Sequence, residues 1–526
     1  MTHYSFLKSV ALVCVFVCVV LIQIPAQPSK ANQNIDSSLD SLRLIARALE
    51  TIDKNPSLDL GGKDLVYAAI HGMFRTLDPY SQFLDEDAFD YMKAQQIGSF
   101  YGIGISFDVR NGELLVIAPI EESPAWRLGI RAGDVIEEIE GETVAGITNN
   151  EVIKRLRGEK GSIVKIGIRR KGASELLHFS VRREKIALNS ARGGFLIDAE
   201  TGYIRLTEFS STTYSEMMEK LQRLKDKGMT RLILDLRYNG GGLLGSAEQI
   251  SSAFLRKGQI IVSTKGRTKE SKQDITCPKD GDYIDLPIIV LVNDSSASAS
   301  EIVAGAIQDH DRGLVIGVST HGKGLVGSQY QTRFGTAAQI TTAQYFTPSG
   351  RYIQKPYKIP HRKPEIGSPK KDDVNSVGRR TDYGREVFEG GGITPDIVVE
   401  EPILSPVMFE LESERAFFDF AVKFADRFKG IDLNYSVSDK MIDDFIADLL
   451  SEKHSFDIEQ LNENKEQIRS ALRREIVGVH INTDEADRLR VMELQAVQKA
   501  LELFPEIDQI LNLDISTVKE PSTAGV

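Results

Sequence analysis

The sequence predicts a multidomain α/β protein, and three observations predict it. Three continuous apolar runs, Leu232 to Leu236, Ile288 to Val292 and Leu314 to Val318, alternate with helix-like stretches, which implies a buried, largely parallel sheet with helices on its faces. Ahead of them, from Gly98 to about Lys185, short strands punctuated by glycine turns give a mostly β segment. Both flanks of the chain read as helical. At 526 residues the chain is too long for one core, and 41% hydrophobic content is ample for several.

The elements follow in chain order. Lys8 precedes an apolar run from Val10 to Leu21 and Ile24, then small and polar residues, so residues 1–31 read as a signal segment cut after Ala31 or Ala26, or kept as an anchor. The run falls short of the roughly 20 apolar residues that a membrane span needs. Export to a periplasmic or other extracytoplasmic space is implied, anchored to the inner membrane if the segment stays, with membrane contact through that segment alone. Cys14 and Cys18 lie inside it; the mature chain would keep only Cys277, with no internal disulfide and no evident base beside the thiol.

Residues 35–97 are helical in period, with Leu39, Leu42, Ile45, Ala46 and Leu49 in one stripe and Val66, Ile70, Met73 and Leu77 in a second. Asp78-Pro79 stops the second helix, because proline disfavours helical geometry in the residue before it. The β domain spans 98–185, with strands such as Gly102 to Phe107, Leu114 to Ala118 and Val164 to Arg169 and a helix near Asn149 to Leu156. The sheet-and-helix core spans 186–400. Within it, 355–385 turns polar, with Pro356, Pro360, Pro364 and Pro369, and reads as a long exposed loop. Residues 401–526 are helical again; Phe417, Phe420, Ala421, Phe424 and Phe428 form one stripe, and Met441, Ile442, Phe445, Ile446, Leu449 and Leu450 another. Both read as ordinary core.

The formal net charge of -11 has the wrong sign for a phosphate-backbone partner, so nucleic-acid binding is excluded. No cluster of His, Cys and acidic residues has metal-ligand spacing, and neither a metal nor another cofactor is expected.

The segment Ile288 to Gln308 runs from a buried strand through a small-residue loop into a helix starting near Ala299 or Ser300. A serine at that junction lies near the positive end of the helix dipole, where an oxyanion is favoured; it can equally be an N-cap, as Ser298 or Ser300 could. A serine hydroxyl needs a base. His310, His321 and Lys323 are the candidates in the region, and the lysine qualifies only if burial keeps it neutral.

Taken together the pieces closely resemble the C-terminal processing peptidases, the tail-specific proteases. The matching segments, in order, are LDPYSQFLD at 77–85, the region beginning YGIGISF at 101, DLRYNGGGLL at 235–244, SASASEIVAGAIQD at 296–309, HGKGLV at 321–326 and GGITPDI at 391–397. The resemblance covers about residues 40–400. It implies a crotonase-like α/β protease core with an inserted PDZ-like domain, and a serine endopeptidase acting through an acyl-enzyme. In that reading Ser298 is the nucleophile and Lys323 the general base; the oxyanion donors are Ala299 and a glycine of the Gly240–Gly242 run, Gly241 or Gly242; Asp309 matches a position sometimes given to a charge relay. Tyr101, Gly102, Ile103, Gly104 and Ile105 match the PDZ carboxylate-binding loop, with Ile103 and Ile105 suited to apolar tails, and SPAWRLGIRAGDVIEEIEG at 123–141 supports that module. Partners would be proteins or peptides with free C-termini, with an adaptor or a second copy of the chain left open.

The chain departs from the pattern at His321, where Phe is usual, at Gly240, where Pro is usual, and at Gly327, where a Gln normally helps orient the lysine. Gln329, two residues on and on the same face of a strand, about 6 to 7 Å away, is the expected substitute. The competing readings are a PDZ scaffold or adaptor with impaired catalysis, and an acyl-thioester enzyme of the crotonase type.

Overall fold

The structure, a computed structural model, describes residues 38–55, 61–110, 112–357, 378–423, 425, 431–432, 434–451 and 456–507. The expected signal segment, the polar residues 358–377, and the stripe members Phe424 and Phe428 lie outside the described residues. The chain divides into two compact units, Met1–Met73 and Phe74–Val526. In the first, helices Ser38–Lys54 and Gly62–Phe74 carry amphipathic stripes. Yet Leu39, Leu42, Ile45, Val66 and Met73 are exposed, because two short helices cannot enclose a core of their own.

The second unit begins earlier than the periodicity suggested. Strand Gln82–Leu84 pairs antiparallel with Ala337–Phe346, and helix Glu86–Ile97 follows with Asp85 capping it and Gly98 in the left-handed conformation ending it. Leu84 and Phe89 pack on Ala337. Residues 74–97 therefore belong with the core, not with the two preceding helices.

A six-stranded sheet runs in the order Ala191–Leu196, Thr201–Leu206, Arg231–Asp235, Ile288–Val292, Leu314–Gly317, Ile397–Val398; the first pair is antiparallel and the rest parallel. The three apolar runs are its neighbouring central strands. They are unbroken because both faces are covered. Leu232, Leu234, Ile288, Val290 and Val315 face helices Thr213–Asp226, Leu244–Ser252 and Ala299–Asp309, whereas Ile233, Ile289, Leu291, Leu314 and Ile316 face Val497, Ala500 and Leu503 of helix Gln495–Leu503. A second sheet joins Leu325–Gln331 to Ala337–Phe346, which also pairs with Ile260–Gly266.

The β-rich module is an insertion. Its entry strand Ser99–Gly102 pairs antiparallel with its exit strand Glu184–Ala187, and between them lie a separate sheet and its own core around Ile136, Val152, Ile166 and Val181. Helix Asn149–Leu156 opens on a Thr148/Glu151 capping box.

Not all of the polar stretch is loop. Strands Gly378–Arg380 and Glu386–Phe388 form a hairpin, pinned by Arg385 to Asp311 and Asp396. The C-terminal helices also divide: Phe417, Phe420, Ala421, Ile442, Phe445 and Leu449 bury in a helical core of their own, while the final helix serves the sheet.

Candidate active site

Ser298 ends the loop after strand Ile288–Val292 and is the residue before helix Ala299–Asp309. Its backbone, at φ 56° and ψ −111°, is one that a residue with a Cβ rarely adopts. Three contacts hold it there. The Ser298 N–H donates to Glu301 Oε2 at 2.8 Å, Tyr345 Oη–H donates to the Ser298 carbonyl at 3.2 Å, and the preceding Ala297 N–H donates to the Asn239 carbonyl at 3.0 Å.

Glu301 is fully buried and is the hub of the site. Besides Ser298, its carboxylate accepts from Thr320 Oγ1 at 2.6 Å, from the Gly322 N–H at 2.7 Å and from the Lys323 N–H at 2.9 Å. Burial pushes its pKa up, and these hydrogen bonds pull it back only in part. One carboxylate thus fixes the backbone of both Ser298 and Lys323. Gly322 supplies the turn between them: its φ is 82°, and a Cβ there would come within 2.6 Å of Lys355 Cγ.

The Lys323 side chain is largely buried, and burial lowers its pKa below the ordinary lysine value, with Glu301 and Asp78 opposing the shift from a distance. Its Nζ stands 5.2 Å from the centre of the Tyr80 ring. Among the described residues no carboxylate forms an ion pair with it. Ser298 and Lys323 line one cavity of about 300 Å³ with Gln96, Gly242, Ala299 and Gln329, although no hydrogen bond joins Oγ to Nζ in this conformation. Catalytic hydrogen bonds are often open in substrate-free enzymes.

The two candidate oxyanion glycines differ. The Gly241 N–H donates to Asn239 Oδ1 at 2.9 Å and is not free for a substrate, which corrects its candidacy as a donor. Its role is closeness: a Cβ on Gly241 would lie 2.8 Å from Ser298 Cβ and 3.0 Å from the Ala299 nitrogen. Gly242 sits at φ 146°, where a Cβ would meet the Phe209 carbonyl at 2.2 Å, and it lines the cavity beside Ser298. Among the described residues no acceptor takes the N–H of Gly242 or of Ala299.

Asp309 does not reach this cavity. It ends the helix that Ser298 begins, about 16 Å along the axis at 1.5 Å per residue. There it is buried against Arg351 and accepts the Ser349 N–H at 2.9 Å and Oγ–H at 2.7 Å, a structural assignment in place of the charge relay. Gln329 does line the cavity, but its amide nitrogen donates to the Met92 sulfur. His321 is exposed and His310 is bound to Asp382 and the Ile260 carbonyl, so neither competes with the lysine.

Three supports escaped the sequence reading. Glu301 stands in the quoted motif at the S-x-x-E spacing of a capping box, which could have flagged it. Asn239, fully buried, holds Leu206, Ala297, Ser300 and Gly241 together. Asp235 binds Arg237 and accepts from Tyr203 Oη at 2.7 Å; burial alone would raise its pKa, but the Arg237 guanidinium outweighs that and holds the carboxyl below its usual range. This pair locks the strand end from which the glycine loop departs.

In the inserted module, Gly104 has φ 80°, and a Cβ there would meet Ser123 Cβ at 2.2 Å. Among the described residues no acceptor takes the N–H of Ile103 or Gly104, which leaves two backbone donors at the expected loop. Tyr101 and Gly102 belong to the entry strand; Ile105 begins strand Ile105–Arg110, the edge of the module's sheet. Ile103 corrects an expectation: at 2% exposure its side chain is module core, so it cannot line a pocket for an apolar tail.

Comparison with known proteins identifies the family. Residues 200–363 match the model of peptidase family S41, and residues 115–170 match that of the PDZ domain. The chain is 36% identical over 344 residues to the carboxy-terminal-processing protease of Bartonella bacilliformis, covering 64% of this chain and 70% of that protein. It is 33% identical over 338 residues to the carboxy-terminal processing protease CtpA of Bacillus subtilis, covering 64% and 71%. To a probable CtpA-like serine protease of Staphylococcus aureus it is 30% identical over 417 residues, covering 79% and 81%. The chain therefore belongs to the carboxy-terminal processing proteases of peptidase family S41, serine-type enzymes, and carries a PDZ domain within its protease fold.

Proposed function

We propose that this protease cuts exported proteins selected by apolar C-terminal tails, through an acyl-enzyme formed on Ser298 with Lys323 as general base. The observation that carries the reading is the Glu301 carboxylate, which accepts the N–H of both Ser298 and Lys323 and so ties to one buried anchor two residues that line one cavity. A lysine buried without a carboxylate partner is the kind that can be neutral near physiological pH. Ser298 Oγ attacks the scissile carbonyl carbon while its proton passes to neutral Lys323 Nζ. The oxyanion is received by the N–H groups of Ala299 and Gly242. As the C–N bond breaks, the leaving amine takes the proton from Lys323. Water, deprotonated by the same lysine, then hydrolyses the ester and restores Ser298.

The PDZ domain supplies selection: a peptide adds as a strand to the free edge of Ile105–Arg110, its carboxylate received by the N–H groups of Ile103 and Gly104. The test is incubation of the mature protein with an unstructured substrate ending in apolar residues, beside Ser298→Ala and Lys323→Ala. Cleavage by the wild type alone supports the reading. Equal inertness of all three would favour the PDZ scaffold instead.

A further inference from the structure

A buried base that takes a proton must keep the charge it acquires. When Lys323 accepts the Ser298 proton, a buried amine becomes a buried ammonium, and its surroundings decide how far the transition state is lowered. Among the described residues no hydrogen bond or ion pair holds Nζ. The charged and titratable groups around it are engaged elsewhere. Glu301 accepts three backbone N–H groups and the Thr320 hydroxyl. Asp78 accepts the Tyr80 and Ser81 N–H groups, both at 2.8 Å, and the hydroxyls of Ser81 at 2.7 Å and Thr341 at 3.1 Å. Lys355 Nζ donates to the Thr320 carbonyl at 2.7 Å, Tyr345 Oη–H to the Ser298 carbonyl, and the Tyr352 ring packs on Phe346. His321 is exposed.

The Tyr80 ring remains. Nζ stands over it, 5.2 Å from its centre, within the range of a cation–π contact. Three contacts hold the ring there. The Tyr80 N–H is bound by Asp78, which Thr341 ties to strand Ala337–Phe346. Tyr80 Oη accepts from Gln354 Nε2 at 3.3 Å, while Gln354 Oε1 accepts the Gly324 N–H at 3.0 Å. One buried side chain thus joins the ring to the residue after the lysine. The Tyr357 ring meets Tyr80 edge to face, 6.0 Å between centres.

We propose that Tyr80 is a positioning residue for Lys323, its ring face receiving the side-chain nitrogen as that nitrogen gains the Ser298 proton. This rests on Lys323 being the base. A neutral amine gains little from the ring's quadrupole and an ammonium gains more, so the contact strengthens as the proton is transferred. A carboxylate in the same place would hold the lysine charged at rest and leave it no lone pair. The ring is the weaker partner, and it favours the ammonium without fixing it beforehand.

The test compares steady-state cleavage of the apolar-tailed substrate across pH by wild type, Tyr80→Phe, Tyr80→Leu and Lys323→Ala, each checked for a native melting curve. Tyr80→Leu is expected to lower kcat about tenfold with KM nearly unchanged, the scale of one cation–π contact. The limb of the pH profile that reports the lysine should move to lower pH, since the ammonium loses a stabilising partner. Tyr80→Phe keeps the face and should hold both kcat, within about twofold, and the limb. A folded Tyr80→Leu with wild-type kcat and limb overturns the proposal. So does a loss with the limb unmoved, which marks a merely structural role, or a Tyr80→Phe that falls as far as Tyr80→Leu. If Lys323→Ala itself stays active, the base assignment falls and the proposal with it; an inert Lys323→Ala beside an unaffected Tyr80→Leu removes Tyr80 alone.

Discussion

Glu301 and Lys323 form a pair in which neither side chain bonds the other, yet each sets the other's conditions. The carboxylate accepts four donors from inside the fold, including the backbone of the lysine itself, and forms no ion pair with its side-chain nitrogen. Glu301→Gln replaces an acceptor oxygen with a nitrogen that faces N–H groups. It should destabilise the protein by about 1–3 kcal/mol per donor left unpaired and abolish turnover, read by urea unfolding beside peptide cleavage. Lys323 gives a prediction with a worked sign. Its folded pKa lies below the unfolded value, so between the two the unfolded chain binds more protons and stability rises with pH. Lys323→Met should therefore melt higher than wild type at neutral pH, with the gap shrinking as pH climbs toward the ordinary lysine pKa. Melting curves across pH check it.

The strand, loop and helix around Ser298 show what an element can disclose before its structure is known. The apolar run Ile288 to Val292 and the helix after it were legible, because both-face burial and helical period leave direct marks in a sequence. So was the serine at their junction. Lys323 is singled out as the expected base only through resemblance, since a lysine between glycines carries no mark of burial. What was not legible is which atoms are already committed. Gly241 and Gly242 look alike in the sequence, but the Asn239 side chain takes the amide of one and leaves the other. Asp309 matched a motif position, yet a helix of 11 residues carries it out of the site. Gly242→Ala tests the distinction: a Cβ 2.2 Å from the Phe209 carbonyl must shift the loop, and kcat should fall about 10²- to 10³-fold, as when an oxyanion donor is lost.

At the scale of the molecule, the PDZ domain is an insertion stapled by its own entry and exit strands, and it also touches the core. Lys154, on its helix Asn149–Leu156, pairs with Asp87 at 2.5 Å on helix Glu86–Ile97. That second helix brings Met92 to Gln329 and Gln96 to the cavity. The C-terminal helices meet the PDZ domain as well, through Arg415 and Asp108 at 3.2 Å. None of this could be read beforehand, because periodicity reports which face of a helix is apolar and not which neighbour covers it. For the same reason the stripe of Leu39, Leu42 and Ile45 gave no sign that it is exposed. For the PDZ domain itself, the inactive Ser298→Ala chain should bind an apolar-tailed peptide at least about tenfold more tightly than its C-terminally amidated form. Gly104→Ala, with its Cβ against Ser123, should erase that difference in a fluorescence-anisotropy titration.

The central claim is that a buried, neutral lysine activates Ser298, and a serine-reactive fluorophosphonate probe tests it without any choice of substrate. Mass spectrometry of the labelled wild type should place the adduct on Ser298. The labelling rate should rise with pH through a midpoint below the ordinary lysine pKa of 10.5, and both Ser298→Ala and Lys323→Ala should stay unlabelled. Labelling of Lys323→Ala at the wild-type rate, or an adduct on any other serine, would contradict the account.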